Sequence, residues 1–480
     1  MDHPILSNFL SLCAIPHKSH HEEAISVFLY DWGVKKGLRT VRDEAGNVIL
    51  DKPASPGHEN APVTILQAHM DMVCVAEDGR EYDPLRDPIR VINDGVTLTA
   101  DGTSLGGDDG AGVAMAMSIL EDETAVHGPI RAIFTVDEED GMTGAAALSP
   151  RHLEGKYLIN LDWEAFGSLC CSSAGSDMYS LRRKAEWETP APDAVSYALT
   201  VQGLEGGHSG AQIHLGRANA IRMAAFILAA GAEAAGEVNI ASFQGGSAHN
   251  AIPAKALAAV AVPADRAEAF LEAARAELEA QLEKCGVTDP GAMVTIAETG
   301  RPEKVLSAGM SRDLLGVLTA VHDGVHTMSQ AIPGLVESSA NTGLADLTEE
   351  GFSFVIHQRS SEPAITGEMK TVFASQAETF GFSMEVLSSS PAWPVRPGSH
   401  LVEICEKHFR ALFGREITVE PVHAGLECGA FSNKNPALDI ISIGPDILDI
   451  HSPKETLVLR TVYDCDALVR SMLREIAEEE

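Results

Sequence analysis

Apolar and polar positions along this chain follow two rhythms in turn. Residues 22–36 space their apolar side chains as an amphipathic helix does, and Val48–Leu50 opens strand material. Residues 63–68 (VTILQA) are an unbroken apolar run that predicts a buried strand ending at His69. A glycine-rich turn at 105–110 leads into a small-residue helix over 111–121. Residues 129–136 (PIRAIFTV) and 157–161 (YLINL) predict two more buried strands, the first ending at an acidic cluster and the second at Asp162. Buried strands alternating with helices predict an α/β layer around a mainly parallel sheet. Polar residues follow each strand's C-terminal end, the edge at which such sheets carry their sites.

Near residue 185 the rhythm changes. The pattern reads strand 198–204, helix 217–232, strands 237–243 and 256–262, helix 264–284 and strand 292–297. That βαββαβ order is ferredoxin-like. A weaker second unit follows, with helices at 308–322 and 367–380 and strands near 334–340, 352–359 and 383–388. After the proline-rich stretch 391–397, helix 399–413, strands 417–422 and 437–443, and helix 463–478 resume the α/β pattern. The expected organisation is therefore one α/β domain from 1–184 and 386–480, with an inserted α+β domain at 185–385.

At 480 residues and 45% hydrophobic, the chain can build more than one sizeable core. Asp and Glu outnumber Lys and Arg by 69 to 35, a formal charge of −34. Such a field repels nucleic acid and anionic membranes. Eight cysteines (13, 74, 170, 171, 285, 405, 428 and 465) show no framework spacing and no CxxC pair. The first residues lack a basic start and a cleavable apolar core, and no apolar run reaches the roughly 18 residues of a membrane span. A reducing cytoplasm is the expected compartment.

Five short segments carry candidate chemistry. His69 offers an imidazole to a metal, and Asp71 stands where it can hold the other ring nitrogen. Four glycines around Asp108 let the backbone turn tightly and bring that carboxylate into a cleft. The run Asp137-Glu138-Glu139-Asp140 sets four acids side by side at a strand end, which repel unless a cation joins them. Of the adjacent glutamates, one ligates and the other stays free as a base. Asp162 and His451 follow two further strands. Each segment alone is ordinary: a histidine loop, an N-cap aspartate, a solvated acidic turn. Together, nitrogen and carboxylate donors without thiolate suit zinc, with manganese or cobalt as rivals. Five ligands with one shared carboxylate would hold two metals roughly 3.5–4 Å apart.

The segments AHMDMV, LGGDDGAG, DEEDGMTGA, INLD, GGHSG, NAIP, HAGLECG and GPDILDIHSPKE resemble the aminoacyl-histidine dipeptidases, also called Xaa-His or cytosol non-specific dipeptidases. These belong to the co-catalytic zinc aminoacylase, carboxypeptidase and dipeptidase superfamily. The resemblance runs from about Ile15 to near the C-terminus. It implies a zinc-peptidase catalytic domain with an inserted lid, and two Zn2+ per subunit, with Mn2+ or Co2+ as alternatives. It implies Asp108 as the bridging carboxylate, His69 and Asp162 on one metal, and Glu139 and His451 on the other. Asp71 would orient His69, and Glu138 would be the general base and acid. In the lid, His208 would polarise the scissile carbonyl, with Asn250 and Arg359 as substrate-binding positions, Arg359 suiting a free α-carboxylate. His423 and Glu427 would lie near the site, Glu427 against the substrate amine. Asp109 stands where many members have Asn. The expected partners are dipeptides, with no nucleic acid and no membrane; the resemblance leaves a homodimer open. The rivals are an N-acyl-amino-acid deacylase or carboxypeptidase of the same superfamily, and a non-catalytic metal-binding protein.

Overall fold

The computed structural model describes residues 3–330, 332 and 334–479. Met1, Asp2, Ala331, Pro333 and Glu480, which fall inside the predicted domain spans, lie outside the described residues. Contacts divide the chain into two units. One comprises residues up to Ser173, Trp393–Pro421 and residues from Leu426; the other comprises Ala174–Ala392 and Val422–Gly425.

The first unit is built on an eight-stranded mixed sheet. Its order is Arg39–Arg42, Val48–Lys52, Ile130–Thr135, Thr64–His69, Tyr157–Asn160, Asp439–Ser442, Ser168–Ser173 and Thr418–Val422. The four central strands run parallel, with antiparallel neighbours on either side. Thr64–His69 and Tyr157–Asn160 are buried at every position, as strands covered on both faces must be. Because the central strands are parallel, their C-terminal ends open on one edge of the sheet. His69, the 137–139 segment, Asp162 and the loop after Ser442 all leave from that edge.

Helix Gly107–Glu121 is almost wholly buried. Its small residues let neighbours approach closely: a Cβ on Gly110 would stand 3.1 Å from the ring of Phe9. Phe9 belongs to helix Pro4–Cys13, which the pattern reading omitted. Pro4 starts it, where a missing N–H costs nothing, and Ile5, Phe9 and Leu12 form its buried stripe.

The second unit carries one nine-stranded antiparallel sheet that contains the ferredoxin-like order twice. Strands Val195–Gln202, Asn239–Gly245, Ala256–Val262 and Met293–Thr299 lie fourth, first, third, second across one half. Gly175–Lys184, Val336–Leu347, Gly351–Ser360 and Ser383–Ser390 repeat that order across the other. The two second strands join the halves through Gln244–Asp346 and Gly245–Ala345, and Gly324–Met328 adds to Val336–Leu347. The strand that opens the second half thus precedes the whole first half in sequence. For that reason the second unit begins at Ala174 rather than at 185.

On Gly351–Ser360, Phe352, Phe354 and Ile356 face the helical layer, sharing a core with Ala220–Ala235 and Ala308–Ala320. Gln358 continues that face, donating to the Thr366 carbonyl of helix Pro363–Thr379 at 3.0 Å. By strand alternation, His357 and Arg359 turn to the opposite face.

Candidate active site

In the first unit the five expected ligands converge into two triads that share one residue. His69, Asp108 and Asp162 form one; Asp108, Glu139 and His451 form the other. Within each, the candidate donor atoms lie within 4.8 Å of one another. His69 Nε2 is 3.0 Å from Asp108 Oδ1 and 3.5 Å from Asp162 Oδ1. His451 Nε2 is 3.3 Å from Asp108 Oδ2 and 2.9 Å from Glu139. Asp108 therefore gives one carboxylate oxygen to each triad, as a carboxylate bridging two cations would.

The surroundings fix this geometry. His69 Nδ1 lies 3.0 Å from the Asp71 carbonyl and 3.4 Å from its carboxylate. The Asp71 carboxylate also accepts the backbone N–H of Glu138 at 3.0 Å and of Glu139 at 3.3 Å, and the Ser19 hydroxyl at 2.9 Å. One side chain thus positions both the His69 ring and the acidic loop. On that loop Asp137 sits at φ 56°, with its N–H on Glu22 and its carboxylate on Thr143. Glu138 is half-buried and its carboxylate makes no hydrogen bond among the described residues.

Glu455, which sequence reasoning passed over, anchors the bridging loop. It accepts the N–H groups of Leu105 and Gly107 at 2.7 Å, Gly106 at 3.0 Å and Asp108 at 3.3 Å. These are the unmatched donors at the start of helix Gly107–Glu121, where a negative charge is favoured. The only sequence signal was an acid four residues beyond His451. Asp109 completes the frame: Oδ1 accepts from Gly112 and Oδ2 from the backbone of His69. Burial and the nearby Asp162 and Asp108 push its pKa well up.

Glu427 is fully buried, with Oε2 accepting from Gln67 at 2.6 Å and Thr135 at 2.7 Å. Gln67 in turn accepts from Asn160, which bonds Ser442. This polar ladder crosses the parallel strands inside the first unit and holds Glu427 by Oε2, while Oε1 has no hydrogen-bond partner among the described residues.

The donor set fits divalent cations. Burial raises the pKa values of Asp162 and Glu139, with Asp108 adding to both. Burial raises that of Glu138 too, with Asp162 and Glu139 adding to it. Hydrogen bonds that His451 donates to Asp108 and Glu139 push its pKa up to about 10. For His69, burial works in the opposite direction, but Asp162, Asp108 and Asp71 more than reverse it. The packed carboxylates thus draw both imidazoles towards their protonated forms. Ligation requires neutral imidazole and ionised carboxylate, so loading is expected to release protons, and affinity should fall as pH falls. Calorimetry in buffers of differing ionisation heat measures that release; proton uptake instead would contradict this charge assignment.

The second unit gathers the remaining predicted residues by itself. His208 Nδ1 accepts the N–H groups of Gly210 and Ala211 at 3.2 and 2.9 Å, which leaves Nε2 as the donor. A Cβ on Gly210 would stand 2.6 Å from the His423 carbonyl, 3.0 Å from His208 Cε1 and 3.1 Å from Arg359 Nε, so only glycine allows these three to meet. His423 Nε2 pairs with Ser339 at 2.7 Å. Arg359 is 7% exposed, with Nε unpartnered and its pKa lowered to about 10 by burial. Asn250 is exposed; its carbonyl accepts from Ser209 at 2.8 Å, and its side chain makes no hydrogen bond among the described residues.

A bridged pair of imidazole–carboxylate triads beside an unligated glutamate, at the C-terminal edge of a parallel sheet, is the equipment of a metal-dependent hydrolase. Comparison with known proteins narrows this further. Residues 65–475 match the model of Peptidase family M20/M25/M40, and the chain belongs to that family. It is a peptide hydrolase. It is 32% identical over 473 residues to the cytosol non-specific dipeptidase of Escherichia coli K12, covering 98% of this chain and 97% of that one. The crystal structure of aminoacylhistidine dipeptidase from Vibrio alginolyticus superposes with a TM-score of 0.90 at 33% identity, over 99% and 97% of the two chains. A tripeptidase from Staphylococcus aureus shares the fold at 17% identity and a TM-score of 0.56, over 99% and 98%.

Proposed function

We propose that this protein hydrolyses dipeptides, including Xaa-His dipeptides, with two Zn2+ held by His69, Asp108, Glu139, Asp162 and His451. Mn2+ and Co2+ suit the same oxygen and nitrogen donors. The observation that carries the reading is the split of the Asp108 carboxylate between two triads, with Glu138 left free beside them. The likeness over nearly the whole chain to relatives named as dipeptidases supports the substrate class. When bound, the cations supply Lewis acidity and make water acidic enough to lose a proton near neutral pH.

The chain's own residues do the rest. Glu138 takes the proton from the attacking water and returns it to the leaving amine. Its pKa, raised by burial and by Asp162 and Glu139, suits both halves of that exchange. His208, whose Nε2 carries the proton, donates to the developing oxyanion, a role worth a few kcal/mol. Arg359 pairs with the free α-carboxylate, and Asn250 adds an amide contact, so substrate length is limited at the C-terminal side. A cytoplasmic location agrees with the cytosolic relative. Among the described residues no helix is long and apolar enough to cross a membrane.

The test is a panel of free dipeptides and N-acetyl-amino acids, assayed with zinc, with chelator, and after zinc is restored. Dipeptides should be cleaved, chelator should abolish turnover and zinc should restore it. Turnover of N-acetyl-amino acids alone would make the protein a deacylase. Bound metal with no turnover would make it a binding protein.

A further inference from the structure

The opposite face of Gly351–Ser360 holds more cationic chemistry than a single α-carboxylate needs. His357 and Arg359 sit two residues apart on one strand and so share that face. The His357 ring lies 5.3 Å from the His249 ring at 60°, and the backbone carbonyl of His249 accepts from Asn341, which faces His357 in the strand register. With His208 and His423 at Gly210, four imidazoles surround one guanidinium.

Four of these groups carry buried atoms without partners: His357 Nδ1, His249 Nδ1, His423 Nδ1 and Arg359 Nε. Unmatched buried polar atoms are costly, and four in one cluster ask for a polar ligand. Among the described residues no acidic group acts on these rings. The charged groups facing His357 are Arg359, His249 and His208, while His249, His208 and His423 each face only Arg359. Asp177, on the adjoining strand, lies opposite Gln358 on the helix-covered face and is held by the Tyr179 hydroxyl. In a chain with 69 acids, a cationic cluster set apart from them is selective.

We infer that His249 and His357 form a subsite for a second carboxylate, so that this enzyme favours dipeptides whose C-terminal residue is Glu or Asp. The inference rests on the dipeptide reading above. Arg359 takes the α-carboxylate, and the imidazole pair takes that of the side chain. An apolar side chain would leave both Nδ1 atoms unmatched, a neutral polar one would bring no charge to balance Arg359, and a cationic one would face Arg359. Burial and the neighbouring Arg359 hold the free His357 down to about 3, so it is neutral at pH 7. A carboxylate arriving beside it raises that pKa, and binding then takes up a proton. The preference for acidic substrates should therefore grow as pH falls.

The experiment compares kcat/KM for Gly-Glu, Gly-Gln, Gly-His and Gly-Leu with zinc-loaded enzyme. Gly-Glu should exceed Gly-Gln by about tenfold or more, since hydrogen bonds to a charged group discriminate on that order. The Glu/Gln ratio should rise between about pH 8 and pH 6, the range in which imidazoles respond to a nearby charge. In His357→Gln and, separately, His249→Gln, it should fall towards one and lose its pH dependence. The two substrates differ only in side-chain charge, so a general loss of activity from misfolding cancels in the ratio. A wild-type ratio near one, or Gly-His preferred to Gly-Glu, overturns the subsite while leaving a dipeptidase. Failure to cleave any of the four dipeptides overturns the dipeptidase reading, and the subsite with it.

Discussion

Glu138→Gln is expected to retain two cations per chain while losing roughly 10²–10⁴-fold in kcat, the range general acid–base groups contribute. The separation follows from the geometry. None of the donor atoms in the two triads belongs to Glu138, whereas its raised pKa and lack of any hydrogen bond leave it free to exchange a proton. Glutamine keeps the shape and removes only that exchange. Metal analysis beside steady-state kinetics reads both halves. Loss of metal would make Glu138 a ligand, and near wild-type turnover would move the base elsewhere.

Glu455→Gln should be nearly as damaging by a different route. The carboxylate accepts four backbone N–H groups at the turn that presents Asp108. An amide offers one acceptor and turns a donor against the remaining N–H groups. The cost should be about 3 kcal/mol or more, as when a buried charged partner is removed. Because the turn carries the shared ligand, both cations should be lost together, along with a lower melting midpoint for the first unit. Melting curves with and without zinc test this; wild-type metal content in the variant would show that the turn holds its shape without Glu455.

The candidate ligands were legible in the sequence because most of them follow a buried apolar strand, and parallel strands bring their ends to one edge whatever their order. His69, Glu139 and Asp162 needed only that rule, and Asp108 the glycines that free its backbone. Glu455 was missed because its partners lie hundreds of residues away. Nothing local distinguishes a glutamate that caps a distant helix from one on the surface. His249 and His357 escaped notice for the same reason, since only the register of Val336–Leu347 with Gly351–Ser360 brings them together. The second ferredoxin-like half read weakly because its opening strand, Gly175–Lys184, stands on the far side of the first half, and strand pairing over such a separation leaves no periodic mark.

That split has a consequence for synthesis. As the chain leaves the ribosome, the inner half (195–299) holds everything required to close at once. Gly175–Lys184, made earlier, must wait with both edges bare until Gly351–Ser360 and Ser383–Ser390 arrive. Tyr157–Asn160 waits longer still for Asp439–Ser442. Pairing is therefore expected to close from the middle of the polypeptide outwards, and the candidate metal centre cannot be complete until His451 has been made.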